Sequence, residues 1–105
     1  MEFEKNEYGT YALSEKAFSD IAAIATRNVK HVYPVKKDSE FVECKINKNN
    51  EVTIKVSIRV DQGKDIVKLC SKVQNEISEN ILIMTGVECK KINIDIQGFE
   101  SVAKK

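Results

Sequence analysis

The sequence predicts an α+β fold: a two-layer sandwich in which a small mixed sheet carries two helices on one face. Three observations lead there. From Asp65 to Thr85 apolar residues recur at helical spacing and stop at Gly86. From Val52 to Val60 apolar and polar residues alternate without a break, the mark of a strand with one buried and one wetted face. A second helical stripe, Phe18, Ile21, Ala22, Ala25 and Val29, lies upstream of that strand. The resulting order of strand, helix, hairpin, helix, strand matches a split βαβ arrangement.

Each element has its own warrant. Tyr8 to Leu13 reads as a short first strand. Ser14 is a fitting N-cap for the first helix, with Glu15 in the first turn where a carboxylate suits the helix dipole. Small Ala22, Ala23 and Ala25 let that helix lie close to its support. It should end near Val29, because Pro34 in His31-Val32-Tyr33-Pro34 disfavours helical geometry ahead of it. Lys36 to Glu40 is a polar connection. Val42, Cys44 and Ile46 alternate with Glu43 and Lys45 as a half-buried strand, and Asn47-Lys48-Asn49-Asn50 suits a hairpin loop. Asp61-Gln62-Gly63-Lys64 turns the chain into the second helix, whose stripe is Ile66, Leu69, Cys70, Val73, Ile77, Ile81 and Met84. Gly86 suits the left-handed position just past a helix end. Val87 and Cys89 are out of phase with Ile92, Ile94 and Ile96, so a bulge or a loop near Lys90-Lys91 precedes the last strand, cleanest over Ile92 to Gly98. All 105 residues form one domain, with 1–7 and 101–105 frayed.

Composition narrows the function classes. Apolar content of 42% with 31% charged residues is the balance of a soluble globular protein. Seventeen basic residues face sixteen acidic ones, a net charge of +1, and the lysines are interleaved with acids. That gives no electrostatic case for nucleic acid, which calls for a clustered basic stripe. No apolar run nears the ~20 residues that span a bilayer. The acidic start Met1-Glu2-Phe3-Glu4 is unlike a signal peptide, and neither Met1-Glu2 nor Ala103-Lys104-Lys105 carries a lipidation signal. The expected location is the cytoplasm. An odd number of widely spaced cysteines, Cys44, Cys70 and Cys89, fits a reducing compartment.

Candidate sites are few. His31 reads as a solvated residue at a helix-to-loop junction, without an aspartate or nucleophile beside it in sequence. Cys44 and Cys70 share phase with apolar neighbours, so both are expected to be buried, reduced and structural. Zinc would need a fourth ligand beyond three thiolates, and no metal or other cofactor is expected. Glu76 with Glu79, and Asp61 with Asp65, read as solvated faces. The glycines form no phosphate-cradling run and no GxxG loop. No catalytic residue emerges, and the expectation is a protein that is not an enzyme. Val67, Leu82 and Ile83 fall outside the core stripe of the second helix and are the candidate partner-binding surface.

Several strings resemble the alkaline shock protein family, the envelope stress response proteins of Gram-positive bacteria. They are Lys72-Val73-Gln74-Asn75-Glu76-Ile77, Met84-Thr85-Gly86-Val87 and Ile92-Asn93-Ile94-Asp95-Ile96-Gln97-Gly98. Upstream, Ala12-Leu13-Ser14-Glu15 and Ile21-Ala22-Ala23-Ile24-Ala25 look like the family's first helix. The chain departs where many relatives have a glycine-rich stretch, carrying Tyr33-Pro34-Val35-Lys36-Lys37 instead. The resemblance implies a non-enzymatic cytoplasmic scaffold or adaptor in cell-envelope homeostasis. Its partners would be other proteins, either a membrane-anchored one or further copies of the chain, with no small-molecule substrate and no direct membrane insertion. The alternative is a small nucleic-acid-binding module, on fold analogy alone.

Overall fold

The central strand explains the rest of the architecture. In a computed structural model, which describes residues 14–101, the order is α1 (Glu15–Arg27), β1 (Val32–Pro34), β2 (Val42–Ile46), β3 (Val52–Asp61), α2 (Ile66–Thr85) and β4 (Lys91–Glu100). The fold is α+β, with two helices and a four-stranded sheet. On β3, Val52, Ile54, Val56, Ile58 and Val60 are at most 2% exposed, while Lys55 and Arg59 on the alternate face are open. That buried row, Val42 and Cys44 of β2, and the stripes of both helices form one apolar cluster. The first strand expected, Tyr8 to Leu13, lies outside the described residues.

β3 pairs antiparallel with β1 and β2, and parallel with β4. β1 and β2 share one side of it. Pro34 faces Ile58 and Val42 faces Val56, so two steps along β3 are matched by eight along the edge. The extra residues leave the sheet between Val35, whose N–H donates to the Ser57 carbonyl, and Phe41, whose carbonyl accepts from the Ser57 N–H. β1 and β2 are therefore two halves of one edge, split by an excursion. The segment Tyr33-Pro34-Val35-Lys36-Lys37 supplies the end of β1 and the start of that excursion. The sequence pattern assigns no strand to β1, which is only three residues long. Its proline is tolerated because Ser57 bonds to Val35, which turns the nitrogen of Pro34 toward solvent.

The helices follow their signals with small corrections. Ser14 Oγ accepts from the Ala17 N–H at 3.1 Å, and buried Thr26 donates its hydroxyl to the Ala22 carbonyl at 2.8 Å. α1 ends at Arg27, earlier than the expected Val29, which stays buried beyond the helix. α2 is capped by Asp65, which accepts from the Lys68 N–H, and closed by Gly86 at φ 77°. Its buried side chains are Leu69, Val73, Ile77 and Ile81. Ile66 and Met84, expected in the same stripe, are 38% and 64% exposed, and Cys70 is half-buried. The phase was right, but a helix of about 30 Å overhangs the core at both ends. β4 begins at Lys91 after a loop, and its bulge lies later: Ile58 faces Ile96 and Arg59 faces Gly98, which leaves Gln97 as the extra residue.

Candidate functional site

The exposed apolar side chains of α2 divide into two groups. Val67, 76% exposed, stands in the first turn; Leu82 and Ile83, 42% and 81% exposed, stand in the last. The helical rise puts about 22 Å between them, so the expected surface is not one patch. The last turn is the denser group, because Met84 joins Leu82 and Ile83 there. Sequence reading missed Met84 by crediting its phase. Its place two residues before the glycine stop was the available signal, since helix ends are the least covered.

That turn is held firmly. The Thr85 hydroxyl donates to the Ile81 carbonyl at 2.7 Å, the Gly86 N–H donates to the Leu82 carbonyl at 2.8 Å, and the Val87 N–H donates to Thr85 Oγ1 at 3.1 Å. No basic residue lies in the last turn of α2. Three apolar side chains on a rigid, uncharged helix end can seat against an apolar surface on another molecule.

A polar group stands at the far end of the sheet, on the face away from the helices. His31, expected to be a solvated loop residue, adopts φ 71° and places Nδ1 2.9 Å from Asp61 Oδ2. Asp61, expected to be solvated, has a side chain only 10% exposed. Its pKa is lowered, first by the hydrogen bond from His31 and then by one from the Tyr33 hydroxyl, against the opposing effect of burial. The same carboxylate raises the Tyr33 pKa. Beside them Arg59 bonds Glu100 at 2.9 Å. Seeing Val32-Tyr33-Pro34 as an edge strand was the only route from sequence to this pair, because register brings His31 beside Asp61. A carboxylate holding an imidazole is half of a general-base system. Here the His31–Asp61 bond ties the residue just ahead of β1 to β3, and the Arg59–Glu100 pair ties β3 to β4.

Cys44 is buried, as expected, and its pKa is pushed up to about 11, chiefly by burial. Cys70 and Cys89 are half-buried free thiols, also raised by burial; for Cys70 this corrects the expectation of full burial. The groove along β2, about 570 Å³, is lined by Glu15, Glu43, Lys45 and Glu51 with Cys44 and is open to solvent. Among the described residues no group of three or more His, Cys, Asp or Glu side chains could hold a metal ion. No helix among them is long and apolar enough to cross a membrane.

Neither the curated proteins nor the solved structures compared with the chain gave a match. The model of one family, described by its cell envelope-related function, matches residues 3–101. That match takes in every helix and strand described above, and the chain belongs to the alkaline shock protein 23 family.

Proposed function

We propose that this protein is a non-enzymatic scaffold or adaptor of cell-envelope homeostasis and stress response, working in the cytoplasm through protein contacts near the membrane. In this reading the two-layer sandwich is a rigid body that presents the last turn of α2 to a membrane-anchored partner. The observation that carries the proposal is the exposed Leu82-Ile83-Met84 turn on a tightly bonded cap. The near-neutral charge of +1 offers little attraction to anionic lipid. A family tie to the envelope therefore calls for a protein anchor.

The test is sedimentation of the purified chain with bare lipid vesicles and with native membranes. Binding to native membranes but not to vesicles is expected, and Leu82→Asp with Ile83→Asp should release it. Both positions face solvent, so the double variant should fold. Tight binding to bare vesicles, or an undisturbed membrane fraction in the variant, would refute the adaptor reading.

A further inference from the structure

β4 has a single strand neighbour among the described residues, and its outer edge is a hydrogen-bonding surface with a definite register. Ser57 directs both backbone groups toward β1 and β2. Its flanking neighbours Val56 and Ile58 therefore direct theirs toward β4, where a parallel ladder takes them to the residues on either side of their partners Ile94 and Ile96. The amide groups of Ile92, Ile94 and Ile96 consequently point outward. Gln74 confirms this for one of them, reaching from α2 to donate to the Ile92 carbonyl at 2.8 Å. On the core side of the same edge, Ile92, Ile94 and Ile96 are only partly buried and Phe99 is 49% exposed.

We infer that this edge pairs antiparallel with β4 of a second copy of the chain, about a twofold axis through Ile94. The run Ile92-Asn93-Ile94-Asp95-Ile96 reads nearly the same in both directions. Centred on Ile94, it places Ile92 opposite the second copy's Ile96 and Asn93 opposite its Asp95. Lys91 meets Gln97 at the end. Isoleucine faces isoleucine on the core side, amide faces carboxylate on the other, and no like charges meet. Moving the axis to Asp95 sets two carboxylates against each other; moving it to Asn93 shortens the overlap. An isologous contact requires such self-complementarity. Val67 and half-buried Cys70 lie along the flank of α2 that carries Gln74, so the contact also covers apolar surface that the core leaves open. This surface is separate from the Leu82 turn.

Sedimentation equilibrium of the full chain across a wide concentration range reads the result. A monomer–dimer equilibrium is expected. Ile94→Pro removes an outward N–H without touching the β3–β4 ladder and should leave a monomer. Position 93 is exposed and gives a test independent of folding. Asn93→Asp sets carboxylate against Asp95 at both symmetric contacts and should weaken the dimer roughly tenfold. Asn93→Lys should tighten it, with the gain lost at high salt. Leu82→Asp should leave it unchanged, which separates this interface from the adaptor surface. A chain that stays monomeric at every concentration overturns the inference, and so does any assembly indifferent to both changes at Asn93.

Discussion

The two edges of the sheet are built in opposite ways. The β1–β2 edge is broken by an excursion, carries Pro34, and has its last strand amide, at Ile46, taken by Glu15 Oε2 at 3.0 Å. His31, just ahead of β1, clasps it to Asp61. Interruption, proline and side-chain capping are the usual defences against stray pairing. The β4 edge runs ten residues, has no proline, and among the described residues meets one side-chain cap, from Gln74. Its bulge comes only at Gln97, beyond the isoleucine run. Among the described residues one edge of the sheet is closed and the other is left available, although the residues on both continue a single core.

The largest effect expected comes from the strand that both edges share. Ile58 is fully buried and sits beside Pro34 on one side and Ile96 on the other. Ile58→Ala should cost roughly 3 kcal/mol in urea unfolding. Ile94→Ala, equally apolar but only partly buried at the β4 edge, should cost about half of that or less in dilute protein. Equal losses would mean that the open edge is as well covered as the centre, and would erase the contrast.

Next comes the cap that launches the chain toward β4. Gly86 has φ 77°, and an added Cβ would meet nothing within 4 Å. Gly86→Ala therefore carries backbone strain without a clash, on the order of 1 kcal/mol, read as a lower urea midpoint at constant slope. An unchanged midpoint would show that the last turn of α2 is not held as described.

The closed edge should answer to pH. Asp61 has a lowered pKa in the folded chain, first through His31. The stability it contributes is present above the unfolded carboxylate value, roughly 3.9, and is lost as pH falls through the lower folded value. Melting curves of Asp61→Asn and of the unaltered chain should differ most near neutrality and converge in acid. A gap that stays constant across that window would mean that the clasp does not depend on the charge of Asp61.

What was legible in the sequence was whatever repeats. Helical spacing located α1 and α2, strict alternation located β3, the asparagine run located the hairpin loop, and a lone glycine located the end of α2. What escaped depends on register or on ends. β1 is three residues long, too short for any periodicity to show, and its proline argued against it. The His31–Asp61 pair spans thirty positions and exists only through β1–β3 pairing. Ile66 and Met84 were in phase with the core, yet phase says nothing about where the core stops along the axis. The proposed surface shared that fault: Val67 and Leu82 were grouped by exclusion from one stripe, and the structure places them at opposite ends of the helix.

The smallest expected effect leaves stability untouched and still distinguishes the edges. Cys44 lies on β2, 8% exposed, with its pKa pushed up to about 11. Cys70 lies on the α2 flank above the open edge and is half-buried, with a raised pKa of its own. Only thiolate alkylates, so at mildly basic pH Cys44 is limited both by access and by a thiolate fraction of about one in a thousand at pH 8. Site-resolved mass spectrometry after a short alkylation pulse should show Cys70 modified well ahead of Cys44, with both rates rising as pH rises. The discriminating variable is protein concentration. If β4 pairs with a second copy beneath that flank, Cys70 should slow as the protein is concentrated while Cys44 keeps its rate. In Asn93→Asp the slowing should move to higher concentration in step with the weakened dimer. A Cys70 rate that ignores concentration while sedimentation reports a dimer would place the contact elsewhere on the molecule, and the open edge would need another explanation.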